Sequence, residues 1–160
     1  MNRLLKVTFA LGVIGCFVFS TQSVEAIQPN HLPDHRANQA KPDKALREFH
    51  GVKLGMKREA VQTAMAAKPE SSTDDSEDYK LTGDDTMTVR YDNGEVKAIQ
   101  LAFADTKNAP AWKDVVGDAE VNELANGAKT ARKTVENEKF WVSIYQNQEG
   151  TTIRITISRN

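Results

Sequence analysis

Hydrophobic and polar positions change rhythm several times along the chain, and each change marks an element. Residues 7–19 are apolar almost without interruption. Residues 27–44 have no apolar period and hold Pro29, Pro33 and Pro42 among polar side chains, the composition of an extended tether. Periodicity begins near Phe49. Ala60, Val61, Ala64 and Met65 recur at three- and four-residue intervals, which predicts a helix over 57–67 with one apolar stripe. Pro69 stops it. Lys57 stands at the N-cap, where it offers no acceptor and brings a cation to the positive helix end.

Beyond Pro69 the period shortens to two. Residues 70–78 are polar and read as a loop, 79–82 as a short strand, and Gly83-Asp84-Asp85 as a turn. Met87, Val89 and Tyr91 alternate over 86–91, and Ile99, Leu101 and Phe103 alternate over 95–103. A three-residue Asp92-Asn93-Gly94 loop sets Met87 opposite Ile99 and keeps every large apolar residue on one face. A two-residue Asn93-Gly94 turn sends Ile99 and Leu101 to the other face. The longer loop, with Gly94 left-handed, is therefore expected.

Pro110 opens a second helical region carrying Trp112, Val115 and Val116, and Asp118 caps a turn that runs through Val121 and Leu124. Residues 129–136 have few apolar side chains and suit an edge strand. The clearest pair is 139–146 with 151–158: Phe140, Val142 and Ile144 on one side, Ile153, Ile155 and Ile157 on the other. The order helix, strands, helix, strands predicts an α+β domain over 45–160. Its antiparallel sheet has helices packed on one face, an order that also fits two helix-plus-hairpin halves.

The first 26 residues have the form of a secretory signal. Arg3 and Lys6 precede the apolar run, and Val24-Glu25-Ala26 suits a cleavage site. As a helix that run rises only about 20 Å, short of the ~30 Å hydrocarbon core. Cleavage near Ala26 would leave a periplasmic or secreted chain with no transmembrane segment. Val13-Ile14-Gly15-Cys16 also has the form of a lipobox, which would instead anchor the protein through a lipidated Cys16. Phe17-Val18-Phe19 follows that cysteine where a lipoprotein turns polar. Cys16 is the single cysteine, so the exported domain has no disulfide and stands on its core.

Composition narrows the function. The 160 residues carry 21 Lys+Arg and 22 Asp+Glu, net −1. That balance argues against a nucleic-acid binder, which needs a basic face for phosphates. No serine lies in a nucleophile-elbow context, and no glycine-rich phosphate loop is present. No cofactor is called for, and the chain reads as a non-enzyme.

Val52-Lys53-Leu54-Gly55-Met56-Lys57-Arg58-Glu59-Ala60-Val61 resembles the opening of small bacterial envelope proteins of the BamE/SmpA type and of the β-lactamase-inhibitor-protein-like domains. Tyr91-Asp92-Asn93-Gly94-Glu95-Val96 is similar to their aromatic-Asp-x-Gly hairpin. The resemblance covers roughly 52–103. It implies a helix leading into an antiparallel sheet, and a cell-envelope setting. Lys57 departs from the usual capping Ser/Thr, and the disulfides of the inhibitor proteins are absent.

Three kinds of binding chemistry remain. Trp141, Tyr145 and Arg154 alternate with the apolar residues of the last hairpin, and Arg90 does so on the earlier one. Together, aided by the acidic loop of residues 70–85, they would form an exposed sheet face that recognises an envelope or extracellular protein. If Trp141 and Tyr145 face inward, they are core instead. An inhibitor of an extracellular hydrolase would use a protruding loop, with Asp84-Asp85 and Asn147-Gln148 as candidates. A periplasmic metal or small-ligand binder would use His31 and His35, four residues apart. Glu70, Asp74, Asp75, Glu77, Asp78, Asp84 and Asp85 form an acidic stretch without the EF-hand glycine and distal glutamate. It reads as a solvated loop, and no metal site is assigned there.

Overall fold

A computed structural model describes residues 44–160. The signal segment, Cys16, the tether to residue 43 and its His31 and His35 lie outside the described residues. The elements run β1 (Glu48–Phe49), β2 (Val52–Lys53), α1 (Arg58–Met65), β3 (Ser71–Ser72), β4 (Ser76–Lys80), β5 (Thr86–Asp92), β6 (Glu95–Phe103), α2 (Trp112–Val116), β7 (Asn122–Glu123), β8 (Lys129–Val135), β9 (Phe140–Gln146) and β10 (Ile153–Arg159). β1 and β2 form a small hairpin. The other eight strands form one antiparallel sheet in the order β3-β4-β5-β6-β10-β9-β8-β7.

This corrects the expected α+β class with helices packed on one face: the fold is β-rich. The helices have eight and five residues, too few to roof an eight-stranded sheet. In α1 only Val61 of the expected stripe is buried, Met65 is half-buried, and Ala60 and Ala64 face solvent. The chain leaves the helix at Ala66, in the left-handed conformation, before reaching Pro69. Gly117 ends α2 at φ +63°, where a side chain would strike the Lys44 carbonyl. The expected helix-plus-hairpin halves are instead two four-stranded meanders, β3–β6 and β7–β10, joined through their last strands.

One sheet face carries the core. Tyr79, Met87, Val89, Ile99, Leu101, Ile155, Ile157, Val142 and Ile144 are buried there, at alternate positions on five neighbouring strands. Leu46, Phe49, Leu54, Met65 and Trp112 pack over them from the helices, the β1–β2 hairpin and non-helical chain. Alternation works because each strand offers one side to this layer and the other to water. The sheet ends in two-residue strands, β3 and β7, which leave little edge for pairing with another chain.

The β5–β6 connection differs from expectation. Asp92 pairs with Glu95, so the turn is the two-residue one, with Asn93 at φ +52° and Gly94 at φ +75°. This is the left-handed pair that a tight hairpin requires. Parity is rescued inside the strand. Tyr91 pairs with Val96 while Arg90 pairs with Ala98, so Lys97 is an extra, bulged residue. The bulge lets Val96 and Ile99 share the core face although they are an odd three positions apart.

Lys57 has the extended backbone of an N-cap and makes no side-chain cap. Its Nζ instead reaches the partly exposed Glu95 Oε1 at 3.0 Å. Lys57→Ser is expected to raise stability by about 1 kcal/mol in urea titration, because the hydroxyl satisfies a free helix N–H while an exposed ion pair contributes little.

Candidate functional site

The structure disperses the acidic stretch. Glu77 is on the inward face of β4, fully buried. Its Oε2 accepts the hydroxyls of Tyr79 at 2.7 Å and Tyr91 at 2.6 Å, and its Oε1 accepts Gln62 Nε2 at 2.7 Å. Arg58 stands 3.9 Å away, lies 4.4 Å over the Tyr91 ring, and donates to the Thr73 and Asp74 carbonyls. Burial alone would raise the Glu77 pKa. The hydrogen bonds from Tyr91, Tyr79 and Gln62, with the Arg58 charge, outweigh it and hold the carboxyl below its ordinary value. Burial and the neighbouring carboxylate push both tyrosine hydroxyls upward. These bonds tie α1 to β4 and β5.

Asp85 is likewise buried, at 2% exposure. Its Oδ1 accepts the N–H groups of Ala104 and Asp105, and its Oδ2 accepts Asn108 Nδ2. It cannot protrude as an inhibitor loop would require. Asn147 also serves its own turn, with Oδ1 accepting the N–H groups of Thr151 and Thr152. Asp78 lies on the outward side of β4 and accepts the Thr88 hydroxyl. No group of three His, Cys, Asp or Glu side chains among the described residues is placed to hold a metal ion.

The four residues expected on an exposed sheet face all project from the face opposite the core. Pairing across the strands gives a row: Arg90, Ala98, Ser158, Trp141. Two rows further along lies another: Thr86, Ala102, Arg154, Tyr145. In the first row the small Ala98 and Ser158 lie between the larger Arg90 and Trp141, which hollows the face into a shallow trough there. At the Trp141 end the trough opens into a shallow concavity of about 450 Å³. Arg90, Lys97, Gln100, Trp141, Ser158 and Asp75 line it. Trp141 is half-buried, and the Arg132 guanidinium covers its ring at 4.2 Å. Tyr145 stands directly across from Arg154 at the other end.

The structure therefore brings Arg90 and Trp141 to one hollow and Tyr145 and Arg154 to a second row. It adds Arg132 and Lys97, which sequence reasoning left out, and brings Asp75 of the acidic stretch to the rim. Arg132 obeys the same parity rule, since Ala131 and Val135, at odd positions of its strand, are the buried ones. Lys97 reaches the hollow because of the bulge, which has no signature in the residue types. Asp75 is fixed there by the hydrogen bond from the Tyr91 N–H to its carbonyl at 2.8 Å.

No protein-family model, curated protein or solved structure matches this chain. Among the described residues no helix is long and apolar enough to cross a membrane.

Proposed function

We propose that this is an exported, non-catalytic protein-binding domain of the bacterial cell envelope. It recognises its partner through the open sheet face built on Arg90, Trp141, Tyr145 and Arg154. The observation that carries this reading is the pairing of Trp141 and Tyr145 with arginines on a sheet face that no segment among the described residues packs against. Aromatic and arginine side chains dominate binding energy at interfaces, and two rigid rings held by cross-strand neighbours lose little freedom on docking. The commitment of Glu77 and Asp85 to structural hydrogen bonds supports a non-catalytic role. The resemblance of 52–61 and 91–96 to envelope proteins, and the signal-like first 26 residues, support the setting.

The test is crosslinking in the envelope of a bacterial host with the wild-type chain and a Trp141→Ala, Tyr145→Ala double variant. Capture of a defined envelope protein should be lost in the variant. Its melting temperature should fall by only a few degrees, because both side chains lie outside the core. Undiminished capture would reject this face.

A further inference from the structure

The arginines of the described residues sort into two sets. Arg47, Arg58 and Arg159 each meet a carboxylate: Glu138, Glu77 and Glu95. None of these three projects from the open face. Arg90, Arg132 and Arg154 meet no carboxylate among the described residues, and all three project from it. Lys97 joins them at the concavity, also without an acidic partner among the described residues. A chain of net charge −1 thus keeps a cationic trough on one side of its sheet. Unpaired cations gathered on one face favour an anionic partner and steer its approach.

The trough also has a direction. From the hollow at the Ala98–Ser158 pair, the outward face of β6 and β10 continues through Gln100–Thr156 to Ala102–Arg154. That is four residue steps, roughly 13 Å of strand, the span of about four residues of extended chain. Cations lie at both ends, Arg90 and Lys97 at one and Arg154 at the other. An aromatic ring accompanies each, Trp141 and Tyr145. Between them Gln100 and Thr156 present side-chain donors and acceptors of the kind a peptide backbone can meet.

We propose that this trough binds an extended, acidic segment of a partner protein. A side chain of that segment enters the hollow beside the part of Trp141 that Arg132 does not cover, and its carboxylates meet Arg90 with Lys97 at one end and Arg154 at the other. The proposal rests on the open-face reading above and supplies the partner's chemistry. One observation favours a peptide over a phosphate polymer: Gln100 and Thr156 lie between the cations, where their side chains can exchange hydrogen bonds with backbone amides, which a phosphate chain does not offer.

The test pans a display library of random twelve-residue peptides on the exported full chain and measures recovered peptides by fluorescence anisotropy. Enrichment in Asp and Glu is expected. Arg90→Glu and Arg154→Glu should each weaken binding about tenfold or more, and added salt should weaken it too. Lys53→Glu, an exposed change on β2, should alter binding less than about twofold, in line with a charge outside the interface. Both trough variants are surface changes, and an unaltered melting curve separates lost binding from lost folding. Peptides that need Trp141 yet lack acids, or ignore Arg90→Glu, would overturn the acidic partner and leave the open face standing. Peptides indifferent to Trp141→Ala as well would overturn both. Recovery of no peptide would overturn this inference, with the open face then decided by crosslinking. A poly-dT oligonucleotide or a phosphatidylglycerol vesicle that binds as tightly as the peptides, with the same dependence on Arg90, would overturn the choice of a protein segment.

Discussion

Glu77→Ala is expected to lower the unfolding free energy by about 3–5 kcal/mol, enough to unfold much of a marginally stable domain. The substitution removes no more than a short side chain, yet it strands four groups. The Tyr79 and Tyr91 hydroxyls and Gln62 Nε2 lose their acceptor, and Arg58 loses the anion beside it. A buried polar group left without a partner costs its full desolvation. The loss extends beyond the cluster, since Arg58 also holds the loop before β4 through two carbonyls. Glu77→Gln keeps the shape and one acceptor, and the tyrosine hydroxyls can turn to accept from its amide. It should cost about half as much, by the same reasoning. Urea midpoints decide the matter, and an alanine variant within about 0.5 kcal/mol of wild type would show that the cluster does not hold α1 in place.

The same carboxylate makes stability depend on acid. Its folded pKa lies below the ordinary 4.5 because three hydrogen bonds and Arg58 together outweigh burial. Between those two values the unfolded chain binds the proton and the folded chain does not. Stability therefore rises with pH through that window. The contribution is fully present above about pH 4.5 and is lost as pH falls through the folded value. The wild-type urea midpoint should fall on that acid limb, and the limb should be shallower in Glu77→Gln. An unchanged limb would place the acid sensitivity on other carboxylates.

Glu77 also explains what sequence reading could and could not see. The β9–β10 hairpin was legible because Phe140, Val142, Ile144, Ile153, Ile155 and Ile157 alternate without exception, and the structure pairs them as strands with the expected side inward. The same parity placed Arg90, Trp141, Tyr145 and Arg154 on the outer face. β4 has the same alternation, but its inward positions are Glu77 and Tyr79. A carboxylate at a core position reads as a loop residue unless its partners are known. Those partners, Gln62, Arg58 and Tyr91, are distant in sequence. The turn before β6 failed for a related reason. Counting faces assumes an unbroken pleat, and Lys97 breaks it without any change in residue type that announces a bulge. The helices were over-read because spacing alone cannot say how many turns tertiary packing will support.

Asp85→Ala should be the second most damaging change to a charged residue, at about 2–4 kcal/mol. Here the groups left behind are mostly backbone. Ala104 and Asp105 donate their N–H groups to Oδ1 at 2.7 and 3.2 Å, and Asn108 donates to Oδ2 at 2.8 Å. The Asp85 N–H is itself tied to the Thr82 carbonyl, and its carbonyl accepts from the Leu81 N–H. One side chain therefore joins the β4–β5 turn to the chain that leaves β6 for α2. Burial raises its pKa, and the bonds from Asn108, Asp105 and Ala104 outweigh that and lower it. Its contribution, like that of Glu77, is present at neutral pH and lost on acidification. Asp85→Asn distinguishes charge from geometry. Its Oδ1 can still accept both N–H groups, while its Nδ2 meets the Asn108 donor until that amide flips. The expected cost is about 1 kcal/mol, with most of the acid sensitivity at this position gone. Hydrogen exchange at the Ala104 and Asp105 amides gives the local readout. Both should exchange much faster in Asp85→Ala and remain protected in Asp85→Asn. Equal protection in the two variants would mean that the chain after β6 is held by its backbone turn alone.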